Sequence, residues 1–101
     1  MSKDRITVTI DKDLEELIPG FLDNRRKDAR SLGEALIAGK TESLKSIGHS
    51  LKGVGGGYGF HELSVIGAEI EKIAKTGETT GIDQLINKMT DYLDRIQIVF
   101  E

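Results

Sequence analysis

Two residues stand out for what their side chains can do. His49 carries an imidazole and Lys52 an ammonium, one helical turn apart in residues 47–60, IGHSLKGVGGGYGF. An imidazole has a reference pKa of about 6.5, so at pH 7 most of it is neutral and its lone pair can attack an electrophile. An ammonium three residues on can neutralise negative charge gathering at the same place. If the run is helical, positions 49, 52, 53 and 56 share one face by the i, i+3, i+4, i+7 rule, and Lys45 lies one turn ahead. The opposite stripe, Leu44, Ile47 or Gly48, Leu51, Val54 or Gly55, and Tyr58, has the spacing of a buried seam.

The same run holds Gly48, Gly53, Gly55, Gly56, Gly57 and Gly59, half of the twelve glycines in the chain. Each glycine in a helix interior is unfavourable by roughly 1 kcal/mol relative to alanine, so something must offset several of them. Gly55 lies nearer the apolar stripe and suits close approach by a neighbouring helix. Gly53 and Gly56 share the face of His49 and suit close approach by an outside partner, since bare backbone around the imidazole gives a bulky group access to its ring nitrogen. The remaining possibility is that the helix ends early and the glycines form a loop.

His49, Leu51, Lys52, Gly53 and Gly59 reproduce the spacing H-x-L-K-G-x5-G, which resembles the histidine-containing phosphotransfer (HPt) domain. The chain departs from the commonest pattern of that family in carrying Val54, Gly55, Gly56 and Gly57 where Ser, Ala and other small residues are usual. The resemblance implies a four-helix bundle whose exposed histidine accepts a phosphoryl group from an aspartyl phosphate on a receiver domain, or from a kinase, and passes it to another receiver aspartate. By that resemblance His49 is the phosphoacceptor through Nε2, Lys52 assists electrostatically, and Gly53 clears the approach; Lys45 and Gly56, by their spacing from His49, are expected to complete the docking surface with Gly53. It further implies a response-regulator receiver domain and a sensor histidine kinase as partners. Magnesium is expected in the receiver, with no cofactor belonging to this chain and no ATP site of its own.

Other chemistries fit less well. From Gly53 the sixth residue is Tyr58 and from Gly55 it is Phe60, so no G-x-G-x-x-G register closes, and no G-x4-G-K-[ST] exists. The segment before the glycines is helical rather than a strand, which is the wrong context for a phosphate loop. His49 and His61 stand apart without H-E-x-x-H or cysteine support, so no metal site is expected. His61 receives no role. The alternative that keeps the fold is a non-catalytic helical interaction module that binds a receiver or another partner without carrying phosphate.

Composition narrows the class further. At 101 residues the chain is long enough for one domain with a core of its own, and a net charge of −3 argues against nucleic acid or an anionic membrane as partner. The absence of cysteine removes disulfides, thiolate metal sites and thiol nucleophiles together. No stretch approaches the roughly 20 apolar residues needed to span a bilayer, and the start MSKDR lacks the apolar core of a signal peptide. A cytoplasmic monomer is expected.

The elements that must position the histidine follow from periodicity. Residues 6–10, ITVTI, alternate apolar and threonine as a strand does, and residues 1–10 are expected to form an extended arm along the bundle, with strand addition to a partner as its functional alternative. Asp11 or Asp13 can cap the first helix. Helical spacing then runs from Leu14 to Leu36, with a kink, or a short helix followed by a longer one, expected at Pro19. Arg25, Arg26, Lys27 and Arg30 form the one dense basic cluster, read as a solvated face paired with Asp23, Asp28 and Glu34, or as a rim that attracts an acidic receiver. Thr41 is the expected N-cap of a histidine helix over 42–57, stopped by Gly59. A third helix is expected over 60–75 with Gly67 as a packing notch. A fourth begins at a capping box of Thr80 and Asp83 and carries Leu85, Ile86, Met89, Leu93, Ile96 and Phe100 on one face, with residues 96–100 alternating enough to fray into an extended tail. Four amphipathic segments with short turns predict an all-α antiparallel up-and-down bundle over 11–101.

Overall fold

The computed structural model describes residues 4–101, so the first three residues of the expected arm lie outside the described residues. Four helices make the bundle: α1 (Ile18–Ile37), α2 (Thr41–Tyr58), α3 (His61–Lys75) and α4 (Ile82–Arg95). Strand β1 (Ile6–Ile10) precedes them and strand β2 (Ile96–Phe100) follows. Each helix packs on the next and α4 returns to α1, which is the up-and-down arrangement that short turns impose.

The core is aliphatic and continuous. Leu32 from α1, Leu44 and Leu51 from α2, Leu63, Ile66 and Ile70 from α3, and Ile82 and Met89 from α4 are all at or near zero exposure. Phe60, between α2 and α3, is equally enclosed and stacks on Phe21 with ring centroids 5.0 Å apart. Tyr58 stacks on Phe21 as well, at 4.4 Å. These aromatic contacts fasten the start of α1 to the end of α2.

Pro19 does not bend a helix. Residues Lys12–Leu17 form a 3-10 turn capped by the Asp11 carboxylate, which accepts from the Asp13 amide at 2.9 Å, and α1 begins at Ile18. Proline then falls in the first helical turn, where its missing N–H would have had no acceptor anyway. The short helix followed by a longer one is present, and the kink inside a continuous helix is not.

Two caps also differ from expectation. Lys40, not Thr41, is the N-cap of α2, and no side chain caps that helix. At α4 the capping box of Thr80 and Asp83 is not formed, because Gly81 takes the N-cap position at φ 88° with no side-chain bond. Gly59 does stop α2, at φ 93°, a left-handed conformation that glycine adopts without the Cβ penalty.

The chain's last segment is not a helical face. Ile96 is already extended, and β2 pairs with β1 in parallel register, Ile6 with Ile96 through Ile10 with Phe100. The ladder continues one step further, the Glu101 amide donating to the Ile10 carbonyl at 3.0 Å and the Lys12 amide to that of Glu101 at 3.0 Å. Arg95 anchors the other end through Nε to the Asp4 carbonyl at 2.7 Å and a guanidinium contact to Asp91 at 3.1 Å. The expected arm exists, held by the tail that was expected to fray.

Candidate functional site

The site begins with how closely α2 and α3 approach. Gly48 and Gly55 lie on the buried side of α2; Gly67 of α3 faces Gly48, and the backbone at Leu63 and Ser64 faces Gly55. A Cβ on Gly55 would stand 2.7 Å from the Ser64 amide nitrogen, a distance no real side chain tolerates. Glycine is thus required on both helices, and the helical penalty at these positions is offset by backbone-to-backbone packing. Ser64 adds a bond across the seam, donating its hydroxyl to the Lys52 carbonyl at 2.8 Å.

This approach brings Glu71 of α3 under the histidine. The His49 Nδ1 lies 2.8 Å from a Glu71 carboxylate oxygen, while the imidazole side chain is 72% exposed and the Glu71 side chain only 15%. An ionised carboxylate can only accept, so Nδ1 carries the proton and donates it to Glu71. Nε2 is then left with the lone pair, on the side of the ring that faces water. A fixed tautomer with its nucleophilic nitrogen outward can attack an electrophile that another molecule presents, and Glu71 steadies the positive charge that grows on the ring as it does so.

Glu71 is the functional residue that sequence spacing missed. Its signal was present: it stands one turn after Gly67, on the same face as the notch, where an α3 side chain must meet α2.

The surroundings of His49 divide the glycines into two groups. Gly53 and Gly57 continue its stripe at i+4 and i+8, and a Cβ on either would meet nothing within 4 Å. Gly56 is exposed and a Cβ there would make only ordinary contact with the Ser64 hydroxyl, at 3.6 Å. The helix runs through all of them to Tyr58, so the glycines do not form a loop. Gly53 and Gly57 therefore carry the helical penalty without any packing gain in the fold.

The cations fall into similar classes. Lys52 is exposed and, among the described residues, makes no ion pair. Lys45 is held by Glu42 at 3.3 Å, an exposed pair of small energetic weight. In the basic cluster of α1, Arg25 lies over the Phe21 ring at 4.7 Å and donates to Asp28 at 2.9 Å. Arg26 reaches α4, donating to the Asp94 carboxylate at 3.0 Å and the Leu93 carbonyl at 3.1 Å. Asp28 is thus a partner as expected, whereas Asp94 from another helix stands where Asp23 and Glu34 were anticipated. Arg26 thus ties α1 to α4, whereas Arg25 is held within α1.

His61 is not brought to His49. It opens α3 and lines a groove beside β1 with Thr7, Thr9, Gly59 and Glu62. Among the described residues no group of three or more His, Cys, Asp or Glu side chains converges as a metal site would need, and no helix is long and apolar enough to cross a membrane.

No curated protein and no solved structure significantly matches the chain. The family comparison does: residues 16–98, most of the bundle, match the Hpt domain, the phosphotransfer module of two-component phosphorelays, and the chain belongs to that family.

Proposed function

We propose that this protein is a phosphorelay carrier that accepts a phosphoryl group on His49 Nε2 from the aspartyl phosphate of a receiver domain, or from a sensor histidine kinase, and passes it to a second receiver aspartate. The observation that carries this reading is the 2.8 Å contact from His49 Nδ1 to Glu71 on a ring that is 72% exposed. A surface histidine without a chemical task has no need of a half-enclosed carboxylate fixing its tautomer.

In the transfer, the Nε2 lone pair attacks phosphorus in line with the aspartyl oxygen. The N–P bond forms as the O–P bond breaks, and that electron pair leaves on the receiver's carboxylate. The phosphorylated ring keeps its Nδ1 proton on Glu71. Lys52, with Lys45 from the preceding turn, neutralises the phosphoryl oxygens. Gly53, Gly56 and Gly57 leave the helix surface bare, so the receiver's cleft can descend on the ring.

Magnesium and the acidic residues that hold it belong to the receiver, and this chain contributes a nucleophile, a proton anchor and positive charge. It acts as a carrier in the cytoplasm, with neither nucleic acid nor membrane as partner. The test is direct. A phosphorylated receiver with magnesium should label the protein with acid-labile phosphate, and His49→Gln should remain unlabelled. Label retained by the substituted protein would move the acceptor elsewhere.

A further inference from the structure

Among the described residues, the ribbon of β1 and β2 has an open edge that the relay reading does not use. In a parallel ladder the N–H and C=O of one residue point to the same side, and successive residues alternate. The Ile10 carbonyl and the Lys12 amide both bond toward β2, through Glu101. Even-numbered residues of β1 therefore face β2, and Thr7 and Thr9 turn their amides and carbonyls away from it, with Arg5 next in the same series; the series ends at Asp11, whose carbonyl accepts from the Leu14 amide at 2.9 Å. Beside β1 lies a groove of about 280 Å³ lined by residues 6–9 together with Gly59, His61, Glu62 and Tyr92, with no residue of β2 in its wall.

The sequence of this edge is self-complementary. Residues 4–12 read DRITVTIDK. Placed antiparallel to a second copy about a two-fold axis at Val8, they set Thr7 opposite Thr9, Ile6 opposite Ile10, Arg5 opposite Asp11 and Asp4 opposite Lys12. Every apolar residue meets an apolar one, every threonine a threonine, and every charge its opposite. The hydrogen-bond parity agrees: Thr7 and Thr9 both point outward, so each such pair exchanges two backbone bonds, and symmetry supplies the pair twice. A slip of one residue would set outward groups against inward ones and reverse the faces. An edge strand is ordinarily protected from such pairing by charges that repel a copy of itself, and here the flanking charges attract one.

We infer that β1 is a homodimerisation edge, joining two copies antiparallel through their β1 strands into a four-stranded sheet ordered β2, β1, β1, β2. The pairing is weak, since five-residue strands bury little area, and the single chain remains the transfer unit at low concentration. His49 lies about ten residues, or roughly 15 Å, along α2 from Gly59, so both sites stay open in the dimer. This inference stands apart from the chemistry of His49.

Sedimentation equilibrium on the whole chain, in a series reaching millimolar concentration, tests it. The mass should rise from monomer to dimer and no further. Arg5→Asp places like charges opposite each other twice and should weaken association about tenfold, as should Asp11→Arg. The two variants mixed should associate again, because each supplies the charge the other lost, and the double variant should recover as well. Asp11 also caps the 3-10 turn, so Thr9→Pro provides a second probe: it removes an outward amide, leaves the bonds to β2 intact, and should abolish dimerisation with an unchanged circular dichroism spectrum. A chain that stays single at every concentration would overturn the pairing and leave the edge to a foreign strand. So would a dimer indifferent to Arg5→Asp and Thr9→Pro.

Discussion

Gly67 of α3 and Gly48 of α2 meet backbone to backbone: a Cβ on Gly67 would stand 2.6 Å from the Gly48 carbonyl oxygen, and one on Gly48 would stand 2.9 Å from that of Gly67. The contact sets the reach of the site, because His49 follows Gly48 directly and Glu71 lies one turn after Gly67. Gly67→Ala should therefore lower stability by about 2 kcal/mol or more, as overpacking does when the obstacle is backbone. Urea unfolding measures this. An unchanged midpoint would mean that the two helices are not held this close.

Glu71→Ala should slow phosphoryl transfer about tenfold or more while changing thermal stability far less, since the bond it removes goes to a largely exposed imidazole and acts on the tautomer. Nitrogen NMR shifts of the His49 ring should report the proton leaving Nδ1 in that variant. Glu71→Gln keeps an oxygen acceptor and should fall between the two. A wild-type transfer rate in Glu71→Ala would remove the carboxylate from the mechanism.

Gly53→Leu fills space that the fold leaves open, so stability should hold or rise by up to about 1 kcal/mol through helix propensity. Transfer from the receiver should nonetheless fall, because the new side chain stands on the proposed docking face one turn from the imidazole. Gly56→Leu should behave alike on transfer. If both variants exchanged phosphate at the wild-type rate, the bare stripe would have no part in docking.

Tyr92 gives the pH dependence. Burial first, and the nearby Glu62 carboxylate second, push its phenol from 10.0 up to about 12. The folded state thus favours the neutral phenol more strongly than the unfolded chain does. This contribution is complete below pH 10 and is lost as pH rises through 12. Denaturant midpoints taken across that interval should decline, and Tyr92→Phe should lessen the decline.

The helices and the exposed histidine were legible because their signals are local. Leu44, Leu51, Leu63, Ile66, Ile70 and Met89 recur at helical spacing, and Gly67 in mid-helix marked its own notch. The pairing of β1 with β2 was not legible, since a parallel partner at the far end of the chain leaves no mark on nearby residues. Caps failed for a related reason: Thr80 and Asp83 have the right spacing, but Gly81 between them takes a left-handed conformation that spacing does not encode. Lys45, expected on the docking surface, is paired with Glu42 three residues before it. Glu71 was overlooked because an acidic residue on an amphipathic helix is ordinarily solvated, and only the crossing of α2 and α3 gives it an imidazole.

Ile6 and Ile96 are rungs of one ladder although nearly the whole chain separates them. Closing so long a loop carries a high entropic cost, so the ribbon is expected to unzip before the helices. Amide exchange in β1 and β2 should then run ahead of exchange in α2, with the molecule opening at two depths. The shallower opening frees both chain ends while the nucleophile stays on its scaffold.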